Sequence, residues 1–395
     1  MNRVLYKHCA ILEGDGLALR EDACLVVEDD RIVEIVDRCE DRGVDLQGCV
    51  LFPSFVDAHT HIADAGMKDE AVGLRTIDAV SPPNGLKYKY LAELSSQGLQ
   101  DVLGTASDEL LASGICAFAD FREGAGDGAR ALQEGVSSKP LFVRAFGDAL
   151  VTPENDQYMT QLTEAATVAG GIGIGDIARY SDQDLASIRS MLDETQAAFA
   201  VHAAETKEAQ SACESAWGIS EVQRVVGLHP DLLVHVTNPL PGDLAAIAEA
   251  GVPIACCTRT NALIADGIPP LDQFLAHGIP LCLGTDNVML TAPDMFREMD
   301  WFSRVARALS GDAGAVSSRE VLSIATLGGA EALGLEDEVG SLAPGKAACF
   351  IALDTRSKRL SGTRDIHAAI VHRAGLQDMC FVVSRGEVIA DRRMA

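Results

Sequence analysis

The 395-residue chain is short of positive charge, of aromatic rings and of long apolar runs. Lysine and arginine number 32 against 58 aspartates and glutamates, leaving a formal net charge of −26. A surface this acidic repels phosphate backbones and anionic headgroups, so neither a nucleic acid nor a membrane is expected as a partner. No window approaches about 18 uncharged apolar residues, and no membrane-spanning helix is expected. The opening MNRVLYKHCAILEGDG lacks the apolar core of a signal peptide. The 11 cysteines contain no C-x-x-C pair, and the adjacent Cys256 and Cys257 sit in an apolar run as buried thiols would. This usage suits a reducing cytoplasm. Internal repeats and low-complexity tracts are also absent.

With 48% hydrophobic and 23% charged residues, the composition is that of a globular protein. Its two ends read alike. ACLVVEDDRIVEIVD alternates apolar and polar residues around Asp29–Asp30, as a hairpin does, and KAACFIALD with DMCFVVSRGEVIADRRM gives further strands around a turn at Arg385–Gly386. Between the ends, short apolar strands alternate with helical stretches such as QDLASIRSMLDETQ and GDLAAIAEAG. Eight such strands are predicted, over 52–62, 114–123, 141–150, 171–181, 197–206, 231–239, 252–261 and 279–287. Eight parallel strands with intervening helices predict an α/β fold, a closed (β/α)₈ TIM-type barrel over residues 52–345. Residues 1–51 and 346–395 are expected to pair as a small composite β domain beside it. The longest stretch without clear form is 63–92, and loops of this length at a barrel mouth are often functional.

His59 and His61 stand two apart on the first barrel strand, so both imidazoles face one side, about 7 Å apart along the strand. His202 ends strand five, His235 ends strand six and Asp286 ends strand eight. All lie at C-terminal strand ends, where barrel active sites are built. Burying these groups unpaired would cost several kcal/mol, which argues for mutual satisfaction or a metal. Imidazoles with one carboxylate suit Zn²⁺ or Fe²⁺ rather than the all-oxygen shells of Mg²⁺ and Ca²⁺. Such an ion lowers the pKa of bound water toward ~7. Glu205, three residues beyond His202, is the candidate proton shuttle, and Asp286 is also a candidate catalytic residue that accepts the remaining hydroxide proton. Lys68, Lys87, Arg179 and Asn261 fall near predicted loop tips as candidate substrate contacts. His8, His229, His277, His367 and His372 read as surface or packing residues.

The chain resembles the amidohydrolase superfamily, in its cytosine deaminase-like and chlorohydrolase-like branch. The resemblance runs through FPSFVDAHTH, HAAE, His235, CTRTN, TDN, ATLGGAEALGLEDEVGSLAPGKAA and SRGEVIAD, nearly the whole chain. It implies that His59, His61, His202 and Asp286 are metal ligands, that Glu205 shuttles a proton to a ring nitrogen and that His235 polarises the attacked centre. It also implies that the two chain ends form a β-sandwich. Dinuclear members bridge two metals with a lysine after strand four, and GIGIGDIARYS offers none, which implies one metal. Thr258 and Thr260 stand where members usually have proline and serine. The expected activity is hydrolytic deamination of a small nitrogen heterocycle: a purine, pyrimidine, pterin or related nucleoside. Hydrolysis of a cyclic amide or a carbon–chlorine bond, or a non-catalytic metal-binding role, are the alternatives. The expected partner is a small-molecule substrate, and homo-oligomerisation is left open.

Overall fold

A computed structural model describes residues 3–39 and 42–393. Met1, Asn2, Glu40, Asp41, Met394 and Ala395, all in the terminal β segments as read from sequence, lie outside the described residues. The N-terminal strands are β1 (Arg3–Glu13), β2 (Ala18–Glu28), β3 (Arg31–Asp37), β4 (Val44–Asp45) and β5 (Cys49–Pro53). The central strands come next: β6 (Phe55–His61), β7 (Ile115–Arg122), β8 (Phe142–Gly147), β9 (Gly171–Ile174), β10 (Ala198–Ala203), β11 (Leu232–His235), β12 (Ile254–Cys256), β13 (Leu281–Leu283) and β14 (Asp286–Asn287). The chain closes with β15 (Phe350–Asp354), β16 (Met379–Ser384) and β17 (Glu387–Asp391).

The central strands form one nine-stranded parallel sheet, ordered β13-β12-β11-β10-β9-β8-β7-β6-β14. Its two edge strands, β13 and β14, are separated only by Gly284 and Thr285, so the sheet curls until its ends meet in one stretch of chain. Added bulk at Gly284 would be intolerable, since a Cβ there would stand 2.8 Å from the Cβ of His59 and 3.0 Å from Cys257 Sγ. β6 and β7 are buried along their whole lengths, as expected of parallel strands covered on both faces.

The helices cover this sheet by ordinary amphipathic logic. In Asp182–Thr195 the buried residues are Leu185, Ile188, Met191 and Leu192, one stripe at helical spacing. Ser181 caps its N-terminus, accepting from Asp184 N–H while the Asp184 carboxylate accepts from the Ser181 backbone. The stretch 63–92 is more ordered than its sequence suggests. It holds a 3₁₀ turn at Ile62–Met67 and helices at Thr76–Ala79 and Leu86–Glu93. Met67, Ala71 and Ala79 pack there against Ile264, Met289 and Leu290, contacts too distant in sequence for local periodicity to reveal.

The terminal segments meet in an eight-stranded sheet, ordered β17-β16-β15-β5-β1-β2-β3 with β4 on β1. β2 and β3 form the hairpin around Asp29–Asp30, and β16 and β17 the hairpin around Arg385–Gly386. β5 and β15 pair antiparallel and join the two chain ends. Tyr6 of β1 lies 4.8 Å from the Phe350 ring and 5.8 Å from the Phe381 ring. Cys24 and Cys39 are disulfide-bonded, which departs from the cysteine usage expected of a reducing cytoplasm. The register explains the encounter: Cys24 pairs with Val36 across the hairpin, which brings the chain just beyond β3 back alongside β2. Cys256 and Cys257 are buried free thiols, as expected. Among the described residues no helix is long and apolar enough to cross a membrane.

Candidate active site

The histidines and aspartate picked out in the sequence converge at the C-terminal ends of the parallel strands. His59 and His61 close β6, His202 lies near the end of β10, His235 ends β11 and Asp286 opens β14. His59 Nε2 is 3.3 Å from His202 Nε2 and 3.3 Å from Asp286 Oδ1, and His61 Nε2 is 3.7 Å from the same Oδ1. Donor atoms of His59, His61 and His202, and separately of His59, His235 and Asp286, lie within 4.8 Å of one another.

Burial lowers the basicity of every imidazole here, pushing His61 down to about 4 and His202 well below its ordinary value. Burial alone would raise the Asp286 carboxyl. A hydrogen bond from His59 and the neighbouring histidines outweigh it and hold Asp286 below the usual carboxylate range. Neutral imidazoles whose ring nitrogens face one another around an ionised carboxylate lack a positive charge. This donor set fits a divalent metal ion.

Two of the converging polar groups have strained backbones. His235 has φ +73 and Asp286 has φ +66, in the left-handed region that costs non-glycine residues roughly 1–2 kcal/mol. Buried groups hold these conformations. Thr285, beside Asp286, donates its backbone N–H to Asp57 Oδ1 at 2.9 Å and its hydroxyl to Asp57 Oδ2 at 2.5 Å. Asn287 Nδ2 donates to Asp64 at 2.7 Å. Thr260, one of the two departures in the strand-seven motif, donates to the Thr285 carbonyl at 3.2 Å.

Glu205 lies between β10 and the helix Lys207–Trp217, which Thr206 caps. Its carbonyl accepts from Asn238 Nδ2 at 2.7 Å, and the preceding Ala204 N–H donates to the buried Glu221 at 2.9 Å. Its side chain is 22% exposed and reaches 3.6 Å from His235 Nε2. Burial, helped by the charge of Asp286, pushes the Glu205 carboxyl up to about 8, so it can hold a proton near neutrality.

The candidate substrate contacts separate into three kinds. Arg179 lines the cavity, with Asp176 at 3.5 Å. Lys87 also lines it but is buried, its ammonium 2.7 Å from Glu123 and 3.3 Å from His61 Nδ1. Burial opposes its charge, and Glu123 more than offsets this and keeps it protonated. Lys68 lies outside the cavity, half exposed and paired with Glu109 at 2.5 Å, because the 3₁₀ turn before it carries it to the outer side of the loop. Asn261 does not line the cavity either. It is fully buried in the helix Thr258–Leu263, and its Nδ2 donates to His235 Nδ1 at 3.1 Å. An imidazole accepting at Nδ1 carries its proton on Nε2, so His235 presents an N–H donor toward Glu205 and the cavity.

Glu123 and Asp148 were not singled out in the sequence. Each is the residue just beyond a strand, in FRE after β7 and FGD after β8, a position equivalent to those that marked the histidines. Glu123 Oε1 lies 3.4 Å from His61 Nδ1 and also pairs with Lys87 and Arg122. The cavity these groups share has a volume of about 180 Å³.

The amidohydrolase family pattern matches residues 50–389. The chain is 29% identical over 395 residues to a provisionally named aminohydrolase of Methanothermobacter thermautotrophicus, covering 98% of this chain and 100% of that one. It is 26% identical over 437 residues to a 5-methylthioadenosine/S-adenosylhomocysteine deaminase of Moorella thermoacetica, covering 99% and 95%. In fold it is similar to an adenosine deaminase from Xanthomonas campestris solved with bound zinc, with a TM-score of 0.86, 21% identity and coverage of 99% and 93%.

Proposed function

The chain belongs to the amidohydrolase family, and from that premise we propose that it is a metal-dependent hydrolase that deaminates a small nitrogen heterocycle. The observation that carries this reading is one cavity in which neutral imidazoles and an ionised Asp286 stand beside a proton-holding Glu205 and the N–H donor of His235. The names of relatives, two of them aminohydrolase and deaminase, support the same reaction class.

His59, His61, His202 and Asp286 would hold the ion. Zinc is the ion we propose, although iron(II) suits the same donors. One ion is proposed, because neither β9 nor the residues just beyond it offer a lysine to bridge a second. A divalent ion there supplies activation of water and polarisation of the attacked centre. The rest falls to the protein. Glu205 takes a proton from the attacking water and delivers it to the ring nitrogen beside the carbon that bears the amino group. His235 donates from Nε2 to the charge that develops on the attacked centre. Asn261 fixes the tautomer this requires. Asp286 takes the remaining proton of the added hydroxyl and passes it to the amino group, the carbon–nitrogen bond breaks, the carbonyl remains on the ring, and ammonia leaves.

The architecture around this site is read in the same terms. The curled sheet is a (β/α)₈ barrel over 52–345, with β13 and β14 as the two halves of strand eight. Segments 1–51 and 346–395 form the β-sandwich. In a flat sheet β1 and β16 would stand roughly 14 Å apart, three strand spacings. The Tyr6–Phe381 ring contact supports a sheet folded over on itself.

Ammonia release from a panel of aminated purines, pyrimidines, pterins and triazines tests the function. Glu205→Gln should keep its metal and lose about 10²–10⁴-fold in turnover. No ammonia from any panel member, with turnover of a cyclic amide or a chlorinated triazine, would overturn the deaminase reading. A Glu205→Gln variant as active as the parent would remove the proton shuttle.

A further inference from the structure

The carboxylates that line the cavity are nearly all engaged. Glu123 is held by Lys87 and Arg122, Asp176 faces Arg179, Asp286 faces His59 and His61, and Glu205 faces His235. Asp148 is the exception. The one hydrogen bond to its carboxylate among the described residues comes from the backbone N–H of the next residue, Ala149, to Oδ1 at 2.7 Å, and none of their cationic groups lies within ion-pair distance. Asp148 therefore brings unused acceptor capacity to the cavity wall.

Its place in the fold says which part of a substrate it would meet. Asp148 lies just past β8 and Glu205 just past β10, two strands apart in the sheet and roughly 10 Å along its rim. A ring whose reacting carbon lies beside Glu205 and His235 would turn its opposite edge toward Asp148. Two features limit that ring. At about 180 Å³ the cavity is smaller than the roughly 300–1,000 Å³ that holds drug-sized ligands. Much of the rest of its lining is apolar, including Val80, Pro82, Pro83, Val151, Pro153 and Phe121. Both suit a bare flat ring better than one bearing a sugar. A carboxylate matches two parallel N–H donors, as it does in its pairing with arginine.

We propose that Asp148 is a specificity residue that reads an exocyclic amine and its adjacent ring N–H, so that the substrate is a free heterocyclic base with a guanidine-like edge opposite the carbon attacked. This rests on the deaminase reading for the position of the reacting carbon, but its test does not need turnover.

The test is calorimetric titration of the metal-loaded protein with 2-aminopyrimidin-4-one and with pyrimidin-4-one, which lacks the amine. Burial pushes the Asp148 carboxyl up to about 7, so the titration is run at pH 8, where the parent should bind the aminated ring about tenfold or more tightly, the worth of a hydrogen bond to a charged acceptor. Asp148→Asn retains an oxygen for the Ala149 N–H but puts a donor where the ring presents donors. It should abolish the preference while leaving pyrimidin-4-one binding and metal content unchanged. A preference that survives in Asp148→Asn, or one that is absent from the parent, overturns the proposal. So does a variant that loses affinity only for ribosylated probes, which would assign Asp148 to a diol. If the preference behaves as stated but no aminated ring releases ammonia, the deaminase reading fails and the Asp148 assignment stands. If ammonia is released without the preference, the reverse holds.

Discussion

The floor of the cavity is made from strand ends, whereas its wall is made from the loops and helices beyond them. His61, His202, His235 and Asp286 belong to hydrogen-bonded strands of one sheet, and their spacing is set by the ladder. Lys87, Glu123, Asp148 and Arg179 lie on a helix or just past strands, on backbone free to vary. The contrast points to a division of labour. The rigid part holds groups whose geometry must be kept within fractions of an ångström, and the variable part selects what is presented to them.

Three substitutions sharpen the comparison. The largest effect is expected for Asp286→Ala, which takes the carboxylate from the floor. Metal content should fall to background and turnover with it, read by elemental analysis beside ammonia release. Full metal occupancy in this variant would show that the floor is not the metal site. Asn261→Ala should cost less. Losing a buried hydrogen bond of about 1–3 kcal/mol to His235 corresponds to roughly 5–150-fold. The loss should fall on kcat rather than KM, with metal content unchanged, because Asn261 acts through the His235 tautomer. A raised KM at constant kcat would instead make Asn261 a substrate contact.

The smallest effect is on stability, from a group behind the floor. Glu298 is buried with Arg259 at 3.1 Å, and burial pushes its carboxyl up to about 8 from an ordinary 4.5. Below pH 4.5 both folded and unfolded chains hold its proton, and nothing is lost. Between 4.5 and about 8 the unfolded chain ionises while the folded one keeps its proton, so this group destabilises the fold increasingly as pH rises. Glu298→Gln should therefore raise the thermal midpoint, more at pH 8 than at pH 5. A gain that shrinks as pH rises would reverse the assigned direction.

How much of this was legible in the sequence depended on how local each cause is. The H-x-H of β6 and the polar residues ending apolar runs at His202, His235 and Asp286 could be read, because strand periodicity and strand ends are local properties. Lys68 and Lys87 could not be told apart. They lie in one loop of similar composition, yet one pairs outside with Glu109 and the other inside with Glu123, and packing against Ile264, Met289 and Leu290 decides which. Asn261 was legible as a polar group near the site. Its burial turned an expected substrate contact into a support for His235. The Cys24–Cys39 pairing is a matter of hairpin register.

By itself, the sequence determined the alternation of strands and helices, the acidic character of the surface and the residue types at the strand ends, all consequences of patterns a few residues long. The tertiary structure alone decided which of these groups share a charge, which groups each imidazole faces and which carboxylate is left with spare acceptor capacity. Those properties depend on distances of a few ångströms between residues as far apart in the chain as Asp57 and Thr285, or Lys87 and Glu123.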